Sequence, residues 1–143
     1  MPEFEPYHNQ AEIEEVVRRF EECDYQPEGF FHARHLTVAA WCFSHFDTKA
    51  AEERMRAGLQ RFIRHHGKNG YHVTMTEFWL RLVKKTLQEM GPEGDFVSRI
   101  NQVVERLNNK GLIYEYYSRE RLETPGAKAA WISPDLKDIP AAV

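Results

Sequence analysis

Three histidines are the residues of this chain best suited to chemistry: His32 and His35 in Phe31-His-Ala-Arg-His-Leu36, and His72 in Tyr71-His-Val-Thr-Met-Thr76. A neutral imidazole ligates divalent metals, donates or accepts hydrogen bonds, and changes charge near neutral pH. Three rings converging on one point would make a zinc-type centre with its fourth position open to water, and hydrolysis is the natural chemistry of that water. Without a metal, the same rings and Thr76 would hydrogen-bond a small polar or anionic molecule, with Trp79, Tyr116 or Tyr117 as an aromatic wall. Histidines at helix starts lie beside free backbone amides, which suits anions. A third reading is structural: buried imidazoles bonded to Thr76 or to tyrosine hydroxyls hold helices in register.

The spacing places these rings on helices. With His35 as zero, an advance of 100° per residue puts His32 near ~60°, Ala39 near ~40°, Cys42 near ~340° and Phe46 near ~20°. His32 and His35 therefore face a core together, with the small Ala39 beneath them, while Arg34, Thr37 and Ser44 fall opposite. On a later helix Met75, Phe78, Trp79, Leu82, Val83 and Met90 form the apolar stripe, Thr76 lies at its margin, and Arg81, Lys84 and Lys85 lie opposite. Glu77 points outward and reads as the last member of a capping box, Thr74-Met-Thr-Glu77, with Val73 and Phe78 as its hydrophobic staple. If that cap forms, His72 sits just before the helix. His66 shares a face with Met55, Leu59 and Phe62 and joins the candidate ligand-binding set; His65 and His45 fall at flanks.

The elements needed to carry these residues are all helical. Asn9 followed by Glu12 opens a first helix with Ile13, Val16, Val17, Phe20 and Cys23 on one face. A second runs from about Phe31 to Phe46 after the loop Asp24 to Phe30, which holds Pro27 and Gly29. Asp47 and Thr48 open a third, closed at Gly67; a fourth runs from about His72 to Met90 and stops at Gly91-Pro92. The fifth covers about Asp95 to Asn109, with Ile100, Val103, Val104 and Leu107 at helical spacing. Leu112 to Tyr117 suits a strand or a turn of helix equally. Ser118 caps a short piece through Leu122, and Thr124-Pro125 opens a last short helix, with Pro134 and Pro140 marking an extended C-terminus. The expectation is an all-α fold: a single compact helical bundle of about five main helices in one domain, residues 1–143. Its core spans about residues 10–110, and a short irregular or helical segment, 111–143, packs back on it.

Bulk properties narrow the function. The chain has 143 residues, 42% of them hydrophobic and 29% charged, enough to bury a core without disulfides. Its net charge of -3 argues against nucleic-acid binding. The basic run Arg54, Arg56, Arg61, Arg64 and Lys68 reads as the solvated face of one helix. Cys23 and Cys42 form no Cys-x-x-Cys pair and read as small hydrophobes. The acidic, proline-containing start is unlike a signal peptide, and no apolar run approaches the ~20 residues needed to span a membrane. A reducing compartment, the bacterial type of cytoplasm, is the expectation. There is no Gly-x-Ser-x-Gly elbow, Walker loop, Gly-x-Gly-x-x-Gly, His-Glu-x-x-His or His-Asp pair.

Phe31-His32-Ala-Arg-His35-Leu36, Tyr71-His72-Val-Thr74-Met-Thr76, and Tyr117-Ser118 followed by Arg121-Leu122 and Ala127-Lys128 resemble a family of small uncharacterised bacterial all-helical proteins. These carry Phe-His-x-x-His-Leu, Tyr-His-x-Thr-x-Thr and Tyr-Ser segments in the same order. The resemblance covers roughly residues 30–135 and departs at Val73, where members often have Glu, and at Lys128, where they have Arg. It implies that Tyr117 and Ser118 join the histidine site, so that the C-terminal segment folds over the helix starts as a lid. The combined expectation is a metal-binding helical protein with His32, His35 and His72 on a divalent metal, zinc or similar, acting as a metal-dependent hydrolase. The alternative is a non-catalytic small-ligand (anion) binding or interaction module.

Overall fold

The computed structural model describes residues 4–139. Residues 1–3 and Pro140, part of the expected acidic start and extended C-terminus, lie outside the described residues. Five main helices carry the fold: α1 (Gln10–Glu21), α2 (His32–His45), α3 (Thr48–His65), α4 (Val73–Met90) and α5 (Phe96–Leu107). Two short helices follow, α6 (Arg119–Leu122) and α7 (Pro125–Ala129). Among the described residues there is no strand, and the ambiguous segment after α5 is a 3-10 helix, Lys110–Glu115. A further 3-10 turn, Pro27–Gly29, lies within the loop before α2.

Most helix starts follow from their capping residues. Asn9, Asp47, Asp95, Ser118 and Thr124 each accept a backbone N–H from the first turn they precede. The start of α4 is different. The expected Thr74–Glu77 capping box does not form: the His72 ring caps the helix instead, its Nδ1 accepting from the Met75 amide at 3.1 Å. Thr74 lies inside the first turn and is buried, and Glu77 makes a paired contact with Arg56 at 2.7 and 2.8 Å. The outward orientation inferred for Glu77 thus ends in an ion pair between α3 and α4.

Helix α2 is the hub, packing against α1, α3, α4 and α5. A helix enclosed on most sides must be apolar around much of its circumference and slim where neighbours come close. Ala33, Leu36, Val38, Ala39, Ala40 and Cys42 are all buried. Thr37, also buried, is satisfied by donating to the Ala33 carbonyl at 2.9 Å and bonding Tyr7 Oη at 2.9 Å. Close approach of α1 to α3 depends on Gly58: a Cβ there would lie 2.6 Å from the Phe20 ring. Phe20 stacks on Phe30 at 4.4 Å, and Phe30 lies 4.1 Å from the His35 ring. One aromatic cluster thereby links the α1–α3 crossing to the first turn of α2. Cys23, placed on the first stripe by periodicity, falls beyond the end of α1 at φ 56 and is only partly buried.

The C-terminal segment lies against the start of α4. The Thr74 hydroxyl donates to the Ala130 carbonyl at 2.8 Å and accepts from the Ile132 amide at 3.2 Å. Tyr117 Oη donates to the Ile132 carbonyl at 2.6 Å, and the Leu136 amide returns to the Tyr116 carbonyl at 2.9 Å.

Candidate functional site

A cavity of about 560 Å³ opens between the starts of α2 and α4, with α3 on its third side. His32, His35 and His72 all line it, as do Thr76 and Trp79. Burial orders the lining by depth. Leu36, Ala39, Met55, Leu80 and Val83 are buried and form an apolar floor. The histidines, Thr76, Trp79 and Tyr71 are half-buried and form a middle ring, and Glu28, Gly70 and Lys110 are exposed at the mouth.

The position of each ring has a local cause. Phe31 precedes α2 without a side-chain cap, and its carbonyl takes the amides of Arg34 and His35. His32 is therefore the first helical residue and His35 follows one turn later. Arg34 turns away and stacks over Tyr25 and Phe31 at 4.5 and 4.4 Å while donating to the Gly29 carbonyl at 2.5 Å. That clamp holds the Pro27–Phe31 lip in place. His32 Nε2–H donates to the Leu107 carbonyl at 3.1 Å, occupying one of the carbonyls left open at the end of α5. His32 also meets Trp79 edge-on, with ring centres 4.4 Å apart. His72 Nε2–H donates to the Leu122 carbonyl at 3.0 Å at the end of α6, while its Nδ1 caps α4.

These contacts set the electrostatics. Burial pushes the His32 imidazole below its ordinary value, against the opposing effect of the Leu107 carbonyl, with Lys110 lowering it further. Burial, reinforced by His32, pushes His35 down to about 4. Both rings are therefore neutral at pH 7. The Cys42 thiol is pushed up to about 12 by burial, which keeps it protonated and suits packing rather than nucleophilic attack.

The donor set does not fit the expected three-histidine metal centre. His72 has an atom engaged at each ring nitrogen, and a metal would have to displace the α4 cap or the Leu122 contact. That leaves His32 Nδ1 and one nitrogen of His35. Among the described residues no group of three or more His, Cys, Asp or Glu side chains is placed to hold an ion.

Other candidates lie elsewhere. His66 follows the end of α3 and its ring lies tilted against Phe62 with centres 4.6 Å apart, without lining the cavity. Tyr116 is buried edge-on against Phe78, and Tyr117 is held by Ile132. Ser118 caps α6 and donates from Oγ to Asp135 at 2.7 Å. None of Tyr116, Tyr117 and Ser118 lines the cavity, so this segment does not close over it. Residues outside the expected site set contribute instead: Phe30, Phe31, Tyr71, Met55, Ile63 and Lys110. The aromatic pair before His32 and Tyr71 before His72 were available signals, being sequence neighbours of residues already chosen. Comparison with family models, with curated proteins and with solved structures returned no match.

Proposed function

We propose that this protein binds a small organic molecule in the cavity between α2, α3 and α4, as a non-catalytic ligand-binding module. The observation that carries the reading is the cavity itself, with an apolar floor beneath a ring of neutral imidazoles. About 560 Å³ falls in the range of small-molecule sites, which combine mainly apolar walls with a few placed polar groups. Among the described residues the lining contains one carboxylate, Glu28, and it is exposed at the mouth, so no carboxylate stands beside the imidazoles to orient them or to complete a metal site for hydrolysis.

Nucleic acid is a poorer partner for this chain. Arg54 and Arg56 of the basic run are already paired with Glu21 and Glu77. Among the described residues no helix is long and apolar enough to cross a membrane. Cys23 and Cys42 are free thiols, which suits a reducing compartment such as a bacterial cytoplasm.

The test uses the neutral hydrophobic dye N-phenyl-1-naphthylamine and protein purified without a nickel column. Saturable one-site binding, with no metal detected by mass spectrometry, is the expected result. Stoichiometric metal that disappears in His32→Ala and His35→Ala would replace this reading with the metal-dependent hydrolase. Absence of dye binding by well-folded protein would remove the ligand-binding reading.

A further inference from the structure

We propose that the occupant of the cavity is a neutral molecule with an aromatic or aliphatic body and one hydroxyl or N–H group, which donates a hydrogen bond to the histidine ring of the site. The inference rests on the cavity being a binding site and goes further by assigning the polarity of its ligand.

Hydrogen-bond accounting decides that polarity. A neutral imidazole has one N–H and one lone pair. The His32 N–H is used on the Leu107 carbonyl, so its Nδ1 is left with a lone pair. The Phe30 carbonyl lies beside the neutral His35 ring, which keeps one lone pair whichever nitrogen carries its hydrogen. His72 has neither nitrogen free. The Thr76 hydroxyl donates to the His72 carbonyl at 2.8 Å, so its oxygen can only accept further. The middle ring of the cavity therefore keeps lone pairs on His32, His35 and Thr76, with the Trp79 indole N–H and the Tyr71 hydroxyl as its neutral donors.

Three ligand classes meet this arrangement differently. A carboxylate or phosphate would face lone pairs, and the cation able to offset it, Lys110, is out at the mouth. The anion-binding alternative expected from the helix starts is thus opposed by the rings. The first turn of α4 also spends its Met75 amide on His72. An ammonium ion would need a buried carboxylate, and among the described residues the lining has only the exposed Glu28. An alcohol, phenol or neutral N–H compound supplies the missing hydrogen while its body covers Leu36, Ala39, Met55 and Val83. Trp79 and Phe30 supply flat walls beside the two bare nitrogens.

Naphthalene, 2-naphthol and 2-naphthoate share one body and differ at one position. Equilibrium dialysis of the full chain at pH 7.5 should give 2-naphthol the tightest binding, by about tenfold over each of the others, the worth of one well-made hydrogen bond in an apolar site. His35→Phe should cut the advantage over naphthalene to less than about threefold while naphthalene itself still binds. Equal binding of naphthalene and 2-naphthol overturns the inference and leaves the cavity reading standing. Tightest binding by 2-naphthoate overturns it in favour of an anion held by Lys110. Failure of all three to bind overturns the cavity reading together with it. The wild-type series decides the matter even if the variant does not fold.

Discussion

At the start of α4, Thr74 and Thr76 are two residues apart and serve opposite faces. Thr74 turns toward the C-terminal segment, where its hydroxyl both donates to Ala130 and accepts from Ile132. Around it Tyr117 and Ser118 are likewise bonded, to Ile132 and Asp135. Thr76 turns toward the cavity, where His32 and His35 each keep an unused nitrogen. Both faces draw on the same residue types: threonine, tyrosine, histidine. What separates them is satisfaction. Where every polar group has a protein partner the segment is structural, and where lone pairs remain over an apolar floor there is capacity left for a ligand. His72 stands between the two faces, lining the cavity with a ring tied to α4 and to Leu122.

The largest effect should come from cutting the bonded face. Thr74→Val keeps the shape but leaves the Ala130 carbonyl and Ile132 amide without their partner, at a cost of about 2–3 kcal/mol for the two buried groups. Urea unfolding should show the midpoint falling with the slope unchanged. Ligand binding by the folded fraction should persist, because Thr74 does not line the cavity. An unchanged midpoint would erase the distinction between the faces.

Acid should act on the open face. The folded His35 value of about 4 lies below the ordinary 6.5, so the unfolded chain takes up this proton first. The stabilisation is complete above pH 6.5 and is lost as pH falls toward 4, with His32 adding in the same direction. Between pH 7 and pH 5 the loss from His35 alone is about 2 kcal/mol. Melting curves of wild type and His35→Phe across that range should diverge, with the variant losing less. Parallel curves would place His35 in contact with water.

These two faces also explain what the sequence could reveal. The all-α architecture and the helix starts were legible because Asn9, Asp47, Asp95, Ser118 and Thr124 are capping types set just ahead of helical periodicity. The α4 start misled because Thr74 and Glu77 satisfy the same pattern, while a histidine ring as cap has no comparable signature. Angular projection put His32 and His35 on the inner side, and their helix does direct them into one cavity. Projection gives direction but not distance along a neighbouring chain. It could not show that Leu107 and Leu122 carbonyls would claim ring N–H groups, or that Tyr117 and Ser118 would be used by residues 132 and 135. Those are tertiary facts, set by where the C-terminal segment lands.

The Arg56–Glu77 pair tests the boundary of the open face, since it ties α3 to α4 behind the cavity wall. Glu77 is largely covered and the contact is two-pronged, so Glu77→Gln should cost about 1 kcal/mol, more than a typical exposed pair. The same variant should loosen the wall and weaken binding of the neutral dye modestly, measured in one titration. A stability loss without any change in dye affinity would mean that the two helices are held apart correctly by packing alone.

The smallest stability effect should come from filling the cavity. Ala39 lies on its floor, and Ala39→Leu adds apolar volume where space already exists rather than against a packed neighbour. Filling such space changes stability by about 0.5–1 kcal/mol, in the stabilising direction. Binding should nevertheless be lost, because the added side chain occupies the place of the ligand's body. A variant that melts slightly higher yet no longer binds would separate the two faces by function, since substitution on the bonded face costs folding and substitution here costs only occupancy. Strong destabilisation by Ala39→Leu would instead mean that α2 is packed tightly at this point and that the floor has no room to give.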